Sequence, residues 1–294
     1  MRFGYLSVND AAGIHPARAA RALEERGFDS LWVPEHSHIP TSRRSPYPAG
    51  GELPAGYANF MDPLTSLAAA AEATDTLVLA TGICLLLEHD LLDLACTTAT
   101  VDVLSGGRLL LGVGVGWNAE ELENHRPDLP FRLRYKAMRE RVEALRTIWR
   151  EEKPSFEGRW ERFSESWVYP KPVGGTIPIA LGNAGPTGIA HAAEYADHWC
   201  PIDAGLKNDA GRPDIPARVG YFRELATEAG RDPSTIGITI FAWGNPPMAR
   251  LEQYAELGVE RVVLGPPTFD LHGEKTVLEF LDGFASTVER FGKD

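Results

Sequence analysis

The sequence predicts an α/β protein: one (β/α)8 TIM barrel with insertion loops at the C-terminal face of its strands. Three observations carry that expectation. Eight short apolar runs alternate with helical stretches along the whole chain. The runs are continuous rather than alternating, as in parallel strands covered on both faces. All of them fit within 294 residues, with no linker or low-complexity segment, so residues 1–294 form one domain. A doubly wound open sheet is the other architecture with this rhythm.

Each element has a local reason. "FGYLSV" (3–8) is the first strand, followed by a helix across 15–26 that stops at Gly27. "SLWVPE" (30–35) precedes a long irregular segment and then a helix from 62, where Asp62 fits the N-cap and Pro63 the first turn. "TLVLATGICLL" (76–86) reads as the third strand. Leu91–Leu104 is the next helix, closed by Ser105, Gly106 and Gly107, and "RLLLGVGV" (108–115) is the fourth strand. Over 134–150, Met138, Val142, Leu145 and Trp149 share one helical face. "FEGRWERF" (156–163) reads as a small hairpin turning at Gly158. Four more strand–helix units complete the count: "IPIALGN" with a helix from Pro186, "HWCPI" with 216–229, "GITIFAWG" with a helix from Pro247, and "RVVLGPP" with 274–290.

Composition narrows the function. Apolar residues make up 44% of the chain, enough for a sizeable core, and the net charge is −12. That balance argues against nucleic acid and against an anionic membrane surface as partners. No apolar run approaches the ~20 residues of a membrane span. Cys84, Cys96 and Cys200 are odd in number and far apart, which points away from a disulfide framework and toward the cytoplasm. The N-terminus lacks the pattern of a signal peptide.

"RLLLGVGVGWNAEE" (108–121) contains G-x-G-x-x-A from Gly114 to Ala119. A dinucleotide fingerprint belongs in the first βαβ unit, with an acid ~20 residues on. Here three units precede it, and Leu133–Arg139 supplies no suitable acid. The Rossmann reading fails. In a barrel these glycines stand instead at a strand mouth, where ligands bind. Gly112 suits tight packing, and Gly116 suits a ligand-facing turn.

The other mouths are Glu35-His36 after the second strand, Thr81-Gly82-Ile83 in the third, Val115-Gly116-Trp117 after the fourth, and "GNAGP" (182–186) after the fifth. The last places N–H groups of a glycine-rich turn at a helix start, which suits a phosphate or a simple tight turn. A phosphate-bearing cofactor across these mouths accounts for all four. His36 reads as an acid–base group or as a side chain closing the strand end, with Glu35 orienting it or bonding a ring. Loop 37–61 is long for a βα connection and reads as a lid. His38 belongs to that lid, Tyr47, Tyr57 and Phe60 suit an apolar substrate, and Arg43 and Arg44 suit an anion or solvent. Residues 203–216 suggest a second flap. His36-Ser37-His38 spells H-x-H, but a zinc site needs a third ligand and none stands at a mouth, so no metal is expected. Cys200 reads as a pocket residue or a buried inert thiol.

"FDSLWVPEH" (28–36), "LVLATGI" (77–83), "LSGGRLLLGVGVGWNAEE" (104–121), "PKP" (170–172) and "IPIALGNAGP" (177–186) together resemble the bacterial luciferase-like family. "PEHSHIPTSRRSPYPAGGELP" (34–54) is most similar to its F420-dependent oxidoreductase branch. The resemblance implies F420, or alternatively FMN, bound at the mouths by Glu35, Thr81, Gly82, Ile83, Val115, Gly116, Trp117, Glu120, Gly182, Asn183, Ala184 and Gly185. It implies a cis peptide at Gly82-Ile83, and His36 and Glu35 at the reaction centre. The branch implies hydride transfer to or from a small, partly apolar substrate. The FMN alternative implies a two-component monooxygenase served by a flavin reductase. A non-catalytic flavin-binding barrel is the third reading. An F420-dependent sugar-phosphate dehydrogenase of the family has an acid where Trp117 stands, so the resemblance does not extend to that sugar chemistry. It also implies a homodimer through helices 62–75 and 91–104.

Overall fold

The computed structural model describes residues 1–208, 210–268 and 272–292. Eight parallel strand positions close on themselves. In chain order they are β1 (Arg2–Leu6), β2 (Ser30–Val33), β3 with β4 (Val78–Thr81 and Cys84–Leu85), β5 (Leu109–Gly114), β8 (Ile179–Leu181), β9 (His198–Trp199), β10 (Gly237–Trp243) and β11 (Arg261–Gly265). Neighbours in sequence are neighbours in the sheet, and pairing of β1 with β11 and of β3 with β5 completes the circle. The remaining strands, β6 (Phe156–Glu157) and β7 (Arg162–Phe163), form the expected antiparallel hairpin.

The third strand is not continuous. β3 and β4 both lie against β5, and the chain between them carries a cis Gly82-Ile83 peptide. The apolar run 76–86 gives no sign of this break by its periodicity.

The helices follow their capping residues. Asp62 Oδ1 accepts from Thr65 N at 2.7 Å ahead of α2 (Pro63–Ala71). Asp90 accepts from Leu92 N and Asp93 N ahead of α3 (Leu91–Leu104), which ends in Gly106 at φ +68°. His15 caps α1 (Pro16–Glu25). The helix α5 (Arg134–Arg150) buries Met138, Val142, Leu145 and Trp149, the face expected from its spacing. The helices α6 (Pro186–Tyr195), α7 (Ile215–Glu228), α8 (Met248–Glu256) and α9 (Glu274–Phe291) complete the ring. A seven-residue helix, α4 (Ala119–His125), falls where no helix was expected. It is too short to show a period.

The core has two parts. The larger packs helices onto the outside of the strands. The smaller fills the barrel with Leu6, Trp32, Ala80, Leu110, Ala180, Cys200, Phe241 and Val263. Leu6, Trp32, Ala80 and Leu110 stand in register on successive strands, so they form one interior layer. Cys200 is part of this plug, and burial pushes its thiol up to about 12. The inert reading is the right one for it.

Candidate active site

Glu35 and His36 follow β2, and the structure gives them separate partners. Glu35 Oε2 accepts from Leu85 N at 2.6 Å, and Oε1 lies 2.7 Å from His89 Nε2. His36 Nδ1 lies 2.8 Å from Oε2 and 3.0 Å from Oε1 of Glu121. The expectation that Glu35 orients His36 is therefore corrected. The two adjacent side chains diverge, Glu35 toward Leu85 and His89 and His36 toward Glu121. Burial works against charge on His89, but the bond to Glu35 outweighs it and raises the imidazole's pKa.

Three carboxyl groups, Glu35, Glu88 and Glu121, share this corner of the barrel. Burial, and then the nearby charges of Glu121 and Glu35, push Glu88 up to about 9. Its Oε2 is shielded from solvent without a hydrogen bond, and His125 Nε2 stands 3.8 Å away. A cavity of about 430 Å³ abuts Glu88, His89 and His125; its far wall is Arg126, Arg141 and Trp160, so it excludes Glu35 and His36.

The lid is fastened to α4. Glu120 accepts from Ser45 N at 3.0 Å, from Ser42 Oγ at 3.2 Å and from the Ser45 hydroxyl, while Ser45 Oγ accepts from Ala119 N at 3.0 Å. Burial acts to raise the Glu120 pKa, but the Ser45 and Ser42 bonds prevail and hold it down to about 2. In this structure the carboxylate expected at the cofactor is engaged by the lid. Arg44 Nη2 is likewise taken, by Glu123 at 2.9 Å. His38 is engaged on the rim, 2.9 Å from Ser37 Oγ and 2.8 Å from Asn124 Nδ2.

Beneath the lid, aromatic rings gather around His36. Ring centres of Tyr57, Phe60 and Trp117 lie 5.3, 6.1 and 5.8 Å from the imidazole. Tyr47 adds contacts to Tyr57 and Trp117 at 5.5 and 6.1 Å. Arg43 lies over the Trp117 ring at 5.7 Å. Of the lid residues expected to face a substrate, Tyr57 and Arg43 reach this cluster, whereas Arg44 and His38 are held elsewhere.

At the remaining mouths the glycines make room for protein. A Cβ on Gly112 would fall 1.9 Å from the Thr81 carbonyl oxygen, so Gly112 serves strand packing. Cβ atoms on Gly114 and Gly182 would fall 1.8 and 2.8 Å from the Ile83 side chain. The residue after the cis bond is thus seated between two glycines of neighbouring strands. Gly116 has φ +67°, which a side chain rarely adopts. Thr81 Oγ1 is spent on Gly112 O at 2.7 Å and Val115 is buried in the core. What these two offer a ligand is backbone.

In the turn after β8, Asn183 Oδ1 accepts from Gly185 N at 2.6 Å and its amide reaches the Tyr135 hydroxyl, so the loop is locked before α6 begins. Gly185 is exposed in this turn, while Ala184 is half-buried against the core.

Sequence reasoning missed Glu121, His89, Glu88, Asn118 and Tyr135. Asn118 is buried with neither side-chain oxygen nor nitrogen hydrogen-bonded. A carboxamide in that state suits the alternating donors and acceptors along the edge of a flavin-type ring. The one signal available was Asn118 and Glu121 flanking the predicted Glu120. Among the described residues, the side chains close enough to share a metal ion are Glu35, Cys84 and His89. Neither histidine of the H-x-H pair belongs to that set. Its members already bond to one another, and burial holds the Cys84 thiol well above its ordinary range.

A cis-linked bulge, an acid-supported histidine and a locked glycine turn all meet at the C-terminal ends of parallel strands. A family profile for luciferase-like monooxygenase matches residues 1–262. The chain belongs to the luciferase-like monooxygenase family. An uncharacterized protein of Mycobacterium tuberculosis is 37% identical over 273 residues, covering 91% of this chain and 92% of the relative. The F420-dependent glucose-6-phosphate dehydrogenase of Intrasporangium calvum is 28% identical over 250 residues, covering 78% and 68%. A solved F420-dependent secondary alcohol dehydrogenase, in complex with an F420-acetone adduct, has the same fold, with a TM-score of 0.72 at 20% identity over 96% of this chain and 97% of that one. The luciferase-like family comprises flavin- and F420-dependent oxidoreductases. No helix among the described residues is long and apolar enough to cross a membrane.

Proposed function

We propose that this chain is an F420-dependent oxidoreductase that moves a hydride between the deazaflavin and a small, partly apolar organic substrate. The observation that carries the acid–base part is the buried Glu121 carboxylate on His36 Nδ1. A carboxylate accepts and cannot donate, so the neutral ring keeps its proton on Nδ1 and its lone pair on Nε2. There, among Tyr57, Phe60 and Trp117, Nε2 takes a proton from a substrate hydroxyl or returns one. When bound, the deazaflavin supplies the carbon that accepts or gives the hydride. Asn118, the Gly82-Ile83 backbone and the turn 182–185 would hold it, and the unpartnered Asn118 amide supports that fit. The lid rings keep water away, and a dry site strengthens every charge inside it.

The named activity of the Intrasporangium relative supports F420 over FMN. An anaerobic titration with each cofactor, followed by fluorescence, tests the choice. Tight F420 and weak FMN binding is the expected result. The reverse replaces this reading with oxygen chemistry fed by a partner reductase. Tight binding with no turnover on any reducible alkene, imine or alcohol makes the protein a cofactor-binding barrel. We further propose that it acts in the cytoplasm as a homodimer through α2 and α3; the three unpaired cysteines suit a reducing compartment.

A further inference from the structure

The two arginines of the lid differ in what they meet. Arg44 has Glu123 at 2.9 Å and Glu120 at 3.9 Å. Arg43 has no carboxylate within 4 Å among the described residues, although the chain carries 41 acids. The acids nearest in sequence to Trp117 are already engaged: Glu120 by Ser42 and Ser45, Glu121 by His36, and Glu123 by Arg44. Arg43 Nη1 is shielded from solvent and has no hydrogen-bond partner. The Trp117 ring offsets part of the cost of this half-buried cation, but it leaves Nη1 without an acceptor.

The position is nevertheless held. Arg43 adopts φ +50°, a left-handed conformation that a residue with a Cβ rarely enters. Ser42 and Ser45, on either side, are both fixed to Glu120. The guanidinium is thereby kept over Trp117, whose ring also faces His36. One indole thus separates a preset cation from the acid–base group. A ligand lying along it meets both.

We propose that Arg43 is an anion-recognition residue and that the substrate of this site is a small organic carboxylate with an apolar or aromatic body. This rests on the acid–base reading of His36. The guanidinium presents paired N–H donors that match a carboxylate's two oxygens. The rings of Tyr47, Tyr57, Phe60 and Trp117 receive the apolar body. The carbon bearing the reacting oxygen or double bond then lies at His36. The deazaflavin's own anionic tail is the other source of a carboxylate. Sharing an indole with His36 favours the substrate, because the cofactor's phosphate end is assigned to the turn 182–185.

The test is calorimetric titration of the F420-loaded protein with benzoate and with benzamide, which differ in charge but little in shape. Wild type is expected to bind benzoate at least tenfold more tightly. Arg43→Met should equalise the two, while Arg43→Lys should keep part of the preference. Equal binding of the two probes by wild type, or an unchanged preference in Arg43→Met, overturns the proposal. A second arm measures F420 and a deazaflavin lacking the glutamyl tail. Affinities within twofold of wild type in Arg43→Met support the substrate assignment. A loss confined to tailed F420 gives Arg43 to the cofactor and overturns it. The same titration is run on cofactor-free protein: if F420 fails to bind it while benzoate is still preferred, the cofactor reading falls and the anion site stands.

Discussion

Glu121 Oε2 lies 2.8 Å from His36 Nδ1, and the Glu121 side chain has 0% of its surface exposed. The pair is separated by 85 residues, so the barrel rather than the local chain brings it together. A glutamine at 121 can offer either an oxygen or an N–H to the ring and no longer enforces one tautomer. In Glu121→Gln, turnover should fall by about 10²-fold, at the lower end of what a positioned proton-transfer group contributes. F420 affinity should be unchanged. Imidazole 15N shifts read the tautomer directly: wild type should show the proton on Nδ1 and the variant a mixture. Identical spectra would count against the role given to Glu121.

Glu88 keeps its proton to a higher pH than an ordinary surface acid. Its native pKa is about 9 against an ordinary 4.5, so between those values the folded protein holds a proton that the unfolded chain has released. Stability from this site therefore falls as pH rises through that window, by up to about 1.4 kcal/mol per pH unit. Glu88→Gln removes the dependence. Urea midpoints should show the variant gaining on wild type steadily from pH 5 to pH 8. A difference between the two that does not vary with pH would show an ordinary carboxylate.

Glu120 is the converse case. Its native pKa of about 2 lies below the ordinary 4.5, so the carboxylate stabilises the lid above pH 4.5 and ceases to do so as pH falls toward 2. Glu120→Ala frees Ser42 and Ser45. A hydrogen bond to a charged group contributes roughly 1.5–3 kcal/mol, so losing it should speed tryptic cleavage after Arg43 and Arg44 by about tenfold or more at neutral pH. Cleavage at the wild-type rate would mean that other contacts hold the loop.

The outer face of α3 exposes Val103 and Leu104, at 46% and 49%. The chain through Trp167, Tyr169 and Val173 runs beside it, tied by Val173 N to Asp102 Oδ2 at 2.8 Å and by Cys96 Sγ to the Tyr169 carbonyl. All three of those side chains are exposed as well. Exposed apolar side chains on neighbouring segments suit the proposed contact with a second copy. Light scattering should give twice the 32.2 kDa chain mass at micromolar concentration, and Leu104→Glu should give the monomer. A wild-type monomer would remove the dimer from the account.

The barrel was legible because its evidence is local. Asp62, Asp90 and Gly106 mark helix ends within a few residues, and continuous apolar runs mark buried strands. The mouths were legible by position, since any residue just past a barrel strand faces the same end. What was illegible was partnership. His36 finds Glu121 rather than its neighbour, and Glu35 finds His89 at 54 residues' remove. The α4 helix that supplies Glu121 has seven residues, too few to show a period. The break at Gly82-Ile83 came from family resemblance alone.

Glu120 clasps the lid and Glu121 seats the histidine, and they are consecutive residues on the first turn of α4. Admission and reactivity are therefore wired through one peptide unit. A loop that swings out to admit a bulkier guest tugs on the same turn that aligns the imidazole. If the proposed roles of the lid and of His36 hold, selectivity and speed should drift together in the descendants of this protein. Changes that broaden what it accepts, made in residues 42–45, should surface as slower chemistry even on the original guest, and second-site changes that restore the rate should collect in α4.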